Sequence, residues 1–528
     1  MRKYTAKYLA VFLFVTLCGL LLIASQGFAQ KDTLIIGIGD SSQTFDPAMH
    51  NQISEQGYIE QLYEKLVAFE MDDFTTPVPD LAASWDVSED GKTWTFHLRK
   101  DALFASGNPV TADDVVFSLQ RVLKLNGDQA WLLEQFGITE NSIVKVDEHT
   151  VQIGLEKQYA SGVFFACLSH AVAAILDQKL VLEHEENGDL GKAWLANHSA
   201  GSGRFVVSER TPRTETTLTA NPHYRKKVMP LQKVIVRNIE EPIEQAVYLE
   251  QGEIDLAWDL QPAEVMRLET EPDIQAFKTP LLDLRYLAMN LWHPPLDKPE
   301  VRDAIRYAID YDGIIEYILQ GAGTKIQTII PKGVLGHNPA MPYQLDIVKA
   351  RQLLADAGYA NGFEVKLASL NFSPWLDTAL KIKADLARIG ITVTIQEMEF
   401  PELIQKFVVD RDFQLLLMQW GFDYGDPDAM AKPFAHCDSH ENDATIKILA
   451  WNTHYCDNQE LTQLVEQAAQ EMDEVKREAM YQQITDEVLD NGPYAILWTS
   501  EKQFAVRMEA RDFIGIPSIM FGGFPSLR

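Results

Sequence analysis

The segment Trp420-Gly421-Phe422-Asp423-Tyr424-Gly425-Asp426-Pro427-Asp428 sets three carboxylates among three aromatic rings. A carboxylate walled by aromatic faces can hold a cationic nitrogen, because a low local dielectric strengthens a charge-assisted hydrogen bond. Asp423 is the candidate for that contact, with Trp420, Phe422 and Tyr424 as its walls. The same Asp, Gly and Pro residues also build tight turns that touch no ligand, and the local pattern leaves both readings open. Other chemistry is thinner. His184-Glu185-Glu186-Asn187-Gly188 begins like a zinc-hydrolase motif but lacks the second histidine, and Ser202 has no Gly-x-Ser-x-Gly elbow around it. His436-Cys437-Asp438 with His440 lacks paired ligand spacing. No metal site, no cofactor and no catalytic residue is expected. Carboxylate pairs can be found almost anywhere among 76 acidic residues, so a secreted carboxylate-dependent hydrolase stands as the alternative from another class.

The nearly continuous apolar run Phe413 to Trp420 must deliver the aromatic-acidic segment. A strand apolar on both faces belongs in the middle of a covered parallel sheet, and open α/β sheets bind ligands outside the carboxyl ends of their strands. Upstream, Phe363, Val365 and Leu367 alternate. Pro374 then opens a helix with Leu376, Ala379, Ile382 and Leu386 on one face, Gly390 stops it, and Ile391, Val393 and Ile395 alternate again. Strand, helix, strand at this spacing predicts a βαβ crossover with parallel strands. A short helix is expected around Leu403 to Val408. Val301, Ala304, Ile305, Ala308 and Ile309 recur at helical spacing, with Arg302 and Arg306 on the other side. The first half mixes element types. Leu34, Ile35, Ile36 and Ile38 form a strand ending in the turn-formers Gly39-Asp40-Ser41-Ser42, and Thr111-Ala112-Asp113-Asp114 ahead of Val115, Val116 and Leu119 is a capped helix start. The loop after the first strand carries Thr44, Phe45, Asp46 and Pro47, and Thr44 and Phe45 join the candidate ligand contacts.

A chain of 528 residues exceeds one ordinary core, so two or three packed units able to enclose a ligand are expected. Its formal charge of −30 repels phosphate backbones and anionic lipid alike, which argues against nucleic acid as a partner. Residues 1–29 read as an export signal: Arg2, Lys3 and Lys7 precede an apolar run from Tyr8 to Ala24, and Gly27-Phe28-Ala29 offers small residues for cleavage before Gln30. A membrane anchor is the rival reading of this run. Leu17 stands where a small residue should precede a lipidated Cys18, which disfavours a lipoprotein. Three cysteines remain after cleavage. In an oxidising compartment Cys437 and Cys456 are the expected disulfide, and Cys167, among Phe164, Phe165 and Leu168, a buried thiol.

Longer stretches carry a resemblance. Pro79-Asp80-Leu81-Ala82-Ala83-Ser84-Trp85 runs on through Ser88 to Arg99 and to Thr111-Ala112-Asp113-Asp114-Val115-Val116-Phe117-Ser118. Shorter matches are Gly201-Ser202-Gly203, Gly252-Glu253-Ile254-Asp255, the helix from Val301 to Asp310, Lys349 to Leu354 and Gly425-Asp426-Pro427-Asp428. Together they resemble the family 5 extracellular solute-binding proteins, the periplasmic dipeptide- and oligopeptide-binding components of ABC importers. The resemblance implies an α/β, two-lobed periplasmic-binding-protein fold with mixed and parallel sheets and a hinge between the lobes. One lobe would take residues 30–285 with an inserted subdomain at about 70–195, the second 286–500, and 501–528 would return to the first. It further implies a monomer in the periplasm that passes a peptide or other small molecule to the permease subunits of an ABC transporter. In peptide-binding relatives an aspartate three residues after the tryptophan of this motif pairs with the ligand's α-amino group, as Asp423 stands to Trp420. Dipeptide binders hold the ligand carboxylate with an arginine on the helix that here runs from Pro374, where this chain has Leu376 and Asp377. That departure favours a longer, amidated, cyclic or cationic ligand. Gly201-Ser202-Gly203-Arg204 in place of the family's Gly-Pro-Tyr ending leaves open a carboxylate role for Arg204. Relatives that take nickel chelates, haem, oligosaccharides or opines define the alternatives within the binding class.

Overall fold

The computed structural model describes residues 31–39, 42–70, 73–226, 231–437, 449–456, 458–515 and 526–527. The export segment, Asp40 and Ser41, and Asp438 and His440 lie outside the described residues. The apolar start of the mature chain forms the strand Thr33–Ile38, which pairs in parallel with Lys233–Asn238 on one side and with Leu256–Ala257 on the other. Glu215–Ala220 and Phe205–Thr211 extend this sheet antiparallel. In the second lobe Glu364–Leu370 lies between two parallel neighbours, Thr392–Met398 and Leu415–Gly421.

One long strand, Tyr494–Arg507, makes these a single sheet. Its first part pairs with Asp283–Met289 in the second lobe, and its remainder with Ile274–Pro280 and Leu256–Ala257 in the first. The chain therefore passes between lobes twice, at Pro280 to Asp283 and again near Ser500. Their backbones are tied there by Leu281 N donating to Ser500 O at 2.8 Å. Each lobe has its own apolar core: Leu34, Ile36, Phe45, Leu62, Trp258 and Phe504 belong to the first, and Leu287, Ile305, Leu367, Ile382 and Leu416 to the second. A four-stranded antiparallel sheet, in the order Ala82–Val87, Thr93–Leu98, Thr150–Gly154 and Ile143–Asp147, stands apart from the long one. Its core around Trp94, Phe96, Phe136 and Phe164 runs continuously into that of the second lobe.

The βαβ unit forms as its periodicity predicts. The helix Trp375–Ala387 buries Ala379, Ile382 and Leu386 of the expected face, each large apolar side chain contributing about 1.5–3 kcal/mol, while Trp375 is buried and the expected Leu376 only half-buried. Gly390 ends the connection at φ +91°, a backbone conformation that side chains disfavour. Thr111 and Asp114 close a capping box on the helix Ala112–Leu125. The helical stretch near Leu403 is a short α-helix, Phe400–Ile404, that widens into a π-turn over Gln405–Asp410.

Two expectations are corrected. The strand expected over Phe413 to Trp420 spans Leu415–Gly421 and has a parallel neighbour on one side only. On the other it runs antiparallel to Asp283–Met289, the strand that has just crossed from the first lobe. Its apolar run reflects cover on both faces, which a mixed sheet supplies as well as a parallel one. Arg302 and Arg306, expected on the outer side of the helix Pro299–Ala308, are buried. Arg302 donates to Leu296 O, Asp297 O and Asn491 O, and Arg306 to Tyr494 O and Gly492 O. The helix Glu474–Asn491 ends there, and its last carbonyls lack partners of their own, so two guanidinium groups serve the need that a surface would meet with water. Burial, with Arg306 alongside, draws the Arg302 guanidinium down to about 10. Cys437 and Cys456 are bonded with their Cα atoms 5.2 Å apart, and Cys167 is a buried free thiol that burial raises well above the ordinary thiol range.

Candidate functional site

The carboxyl ends of the parallel strands in both lobes point toward the two crossings. On the second lobe the strand Leu415–Gly421 begins with four buried residues and emerges over its last three, with Gln419 and Gly421 exposed and Trp420 half-buried. Trp420 Nε1 donates to Ala429 O at 3.2 Å, which pins the ring over the start of the helix Asp428–Ala435. Phe422 is buried, and its N–H reaches Leu282 O at 3.0 Å, so the strand end is stitched to the crossing segment itself. Tyr424 is also buried. Its hydroxyl donates to Asp428 Oδ2 at 2.8 Å, and its ring centroid lies 6.2 Å from that of Trp131 in the four-stranded unit.

The three acids of this segment have different surroundings. Asp426 is 3 % exposed and accepts from Arg477 Nη2 at 2.6 Å and from Asp428 N at 2.9 Å. Asp428 is buried, and burial raises its carboxyl above the ordinary range. Both are structural. Their cluster seats against Gly162, where an added Cβ would come within 2.8 Å of Asp426 Oδ2, and Ala160 N donates to Ala469 O beside it at 2.9 Å. Asp423 alone of the three is half-exposed, between two buried aromatic neighbours at the mouth of the strand.

The facing end of the first lobe is also polar. Asp259 follows the strand Leu256–Ala257, accepts from Gly39 N at 2.6 Å and pairs with Lys502 of the long strand. The Lys502 ammonium lies 5.0 Å over the Trp258 ring. At the crossing, Asp283 Oδ1 accepts from Ser500 N at 2.8 Å and Thr499 Oγ1 at 3.2 Å, while its Oδ2 accepts from Arg285 at 2.9 Å.

The other candidate contacts lie in the first lobe. Thr44 N donates to Glu55 Oε1 at 3.1 Å and Thr44 Oγ1 accepts from Asp46 N at 3.0 Å, so its polar atoms shape the loop. Phe45 is fully buried against Tyr58, with the Arg210 guanidinium 4.5 Å over its ring. Arg204 is 6 % exposed beside Phe205, and burial lowers its guanidinium to about 10. Its backbone is held by the preceding glycines: an added Cβ at Gly203 would sit 2.4 Å from Leu62 C, so only glycine lets these two chain segments touch. The structure thus gathers Trp420, Phe422, Asp423 and Tyr424 at one place and puts Phe45 and Arg204 inside the first lobe.

Sequence reasoning missed the buried ion pairs. Arg121 donates to both oxygens of Asp46 at 2.6 Å, and both side chains are wholly buried. The signal was present: Arg121 falls between Ser118 and Val122 on the buried face of its helix, where a charge needs a partner.

The profile of the bacterial extracellular solute-binding proteins, family 5 (middle), matches residues 76–442. A probable D,D-dipeptide-binding periplasmic protein, DdpA, of Escherichia coli strain K12 is 29 % identical over 493 residues, covering 93 % of this chain and 92 % of the relative. Among solved structures, HbpA2 from Haemophilus parasuis superposes with a TM-score of 0.82 at 25 % identity over 94 % of this chain and all of the other. The periplasmic binding protein DppA from Helicobacter pylori, in complex with the peptide STSA, superposes with a TM-score of 0.72 at 26 % identity, over 93 % and 96 % of the two chains. A sheet crossed twice between lobes, parallel strand ends facing the crossing and the family profile across the middle of the chain agree: this protein belongs to the family 5 extracellular solute-binding proteins.

Proposed function

We propose that this protein is the exported, periplasmic receptor of an ABC importer and that it captures a short peptide or a similar small solute with a cationic nitrogen, delivering it unchanged to the permease. The observation that carries the reading is the placement of Asp423. It is a half-exposed carboxylate at the carboxyl end of a central strand, flanked by buried Phe422 and Tyr424. Closing the lobes over such a group removes water and strengthens its bond to an ammonium. The named ligands of the relatives, a D,D-dipeptide and the peptide STSA, support the peptide class. Export rests on the basic and apolar character of residues 1–29, with the mature chain starting at Gln30.

A thermal-shift screen of the mature protein against di- and tripeptides, opines, sugars and metal chelates tests this, since a ligand that binds only the folded state raises Tm. Peptides are expected to give the shift and to be recovered intact. A shift confined to sugars or chelates, or the recovery of cleaved peptide at catalytic ratios, overturns the proposal.

A further inference from the structure

Arg285 lies on the strand paired with the one that leads to Asp423, and it carries unused hydrogen-bonding capacity. It projects from the strand Asp283–Met289, where Asp283 is paired with Gly421 and Arg285 with Gln419. Residues directly opposite one another in antiparallel strands share a face, so these four lie on one side of the sheet at its hinge end. Asp283 holds the guanidinium at one edge, and the ring of Trp375, the first residue of the helix Trp375–Ala387, lies 5.6 Å from its centre. The bond to Asp283 is the hydrogen bond the side chain makes among the described residues, and it uses one of five N–H donors. The side chain is 18 % exposed, so the group is oriented but reachable.

The space beside it is open. A Cβ built on Gly421 would meet nothing within 4 Å, although this glycine is flanked by a packed strand and a buried phenylalanine. Asp423 follows two residues later. Along the paired strands an anion-seeking fork thus precedes, and a carboxylate follows, the strand-end residue Gly421, which carries no side chain. A planar guanidinium matches a carboxylate with two parallel N–H···O bonds, which neither a lysine nor a neutral amide reproduces.

We infer that Arg285 recognises the ligand's carboxylate, so that the solute is a short zwitterion lying across Gly421 with its amine at Asp423 and its free carboxylate on Arg285. The inference rests on the peptide reading given above and adds the requirement for a free carboxyl end. Asp283 is the positioning residue. It holds Arg285 from one side and is itself held by Ser500 and Thr499 of the second crossing strand, which links carboxylate capture to the hinge.

The test uses the peptides Ala-Ala, Met-Leu, Lys-Leu and Ala-Ala-Ala, each as the free acid and as the C-terminal amide, measured by calorimetry on the mature protein. The parent is expected to bind the tightest free acid about thirtyfold better than its amide, a difference of about 2 kcal/mol. Arg285→Gln should bind acid and amide alike, both at the level of the parent with the amide. A residue that merely shaped the fold would weaken both forms and keep their ratio. Gly421→Val, which fills open space, should leave the Tm of the empty protein unchanged and weaken both forms together. Equal binding of acid and amide by the parent overturns the role of Arg285 and leaves the peptide reading intact. So does an Arg285→Gln protein that keeps the thirtyfold preference. Binding of none of these peptides in either form overturns both.

Discussion

Asp423 and Asp426 stand three residues apart in one turn, and their substitution should have opposite consequences. Asp423→Asn keeps the Asp426–Arg477 ion pair and removes the charge proposed to face the ligand. With an ammonium enclosed opposite it, the loss is expected near 3 kcal/mol, or about a hundredfold in Kd, with the Tm of the empty protein unchanged. Asp426→Asn instead leaves the Arg477 guanidinium buried without its carboxylate and should lower the Tm of the empty protein. Calorimetry and melting curves on the two variants separate a ligand contact from a turn-former, and Asp423→Asn binding within threefold of the parent would falsify the amine assignment. The segment was legible as a candidate site because its acids and aromatics are contiguous. What could not be read was the division of labour, because Arg477 and Trp131, which claim Asp426 and Tyr424, come from distant parts of the chain. Arg285 was invisible for the same reason: its meaning depends on Trp375 and Gly421, and neither is near it in sequence.

Elements were legible where their signal is local. The βαβ unit, the capping box at Thr111 and the amphipathic helix Pro299–Ala308 follow from periodicity and caps over a dozen or so residues. Pairing partners outside the βαβ unit were not, because strand direction depends on the route the chain takes in between. Only the crossing from the first lobe explains why Leu415–Gly421 has an antiparallel neighbour. The joint between the loop at Asp46 and the helix Ala112–Leu125 shows how much one such distant contact carries. Arg121 serves both oxygens of Asp46 and also Leu190 O at 2.8 Å, with no exposure to water. Arg121→Met strands a buried carboxylate and is expected to cost about 3–5 kcal/mol in denaturant unfolding. Adding Asp46→Ala should return a large part of that loss, since removing both charges abolishes the desolvation cost that one leaves behind. If the double variant is no more stable than Arg121→Met alone, the pair is not what holds the joint.

At the scale of the whole molecule, the seam between the first lobe and the four-stranded unit contains two buried histidines. His50 and His170 stack with centroids 5.4 Å apart, in segments whose neighbours are divided between the two cores: Phe45 and Ala171 in one, Ala48 and Val172 in the other. His50 Nδ1 donates to Pro47 O at 2.7 Å and its Nε2 is buried without a hydrogen-bond partner among the described residues, while His170 Nδ1 accepts from Val172 N at 3.2 Å. A proton added to either ring must be housed away from water. Burial accordingly lowers both, His170 well below the ordinary histidine value, despite Glu55, Asp46 and Glu60 near His50, and with His50 and Lys65 adding to the effect at His170. Because the unfolded chain takes up these protons near pH 6.5 and the folded chain does not, their contribution to stability is complete above that pH. It is lost progressively as the pH falls toward the lowered folded values. Glu64 acts in the opposite sense in part of this window. Burial, with Asp80 beside it, raises its carboxyl to about 7, so the folded chain holds that proton more firmly than the unfolded one and gains stability as the pH falls from about 7 toward the ordinary carboxylate range. The slope of the parent is therefore a difference between histidines lowered by burial, His454 among them, and carboxyls raised by it, Asp114 and Asp428 as well as Glu64, and each histidine can supply at most about 1.4 kcal/mol per pH unit. Replacing both rings by glutamine removes the contribution of His50 and His170 and leaves the other groups as they are in the parent. Urea unfolding at about pH 7.5, 6.5 and 5.5 should show stability falling with acid less steeply in the double variant than in the parent, or rising in it. Parallel curves for the two proteins across that range would mean that the histidines at the seam take up protons as readily folded as unfolded.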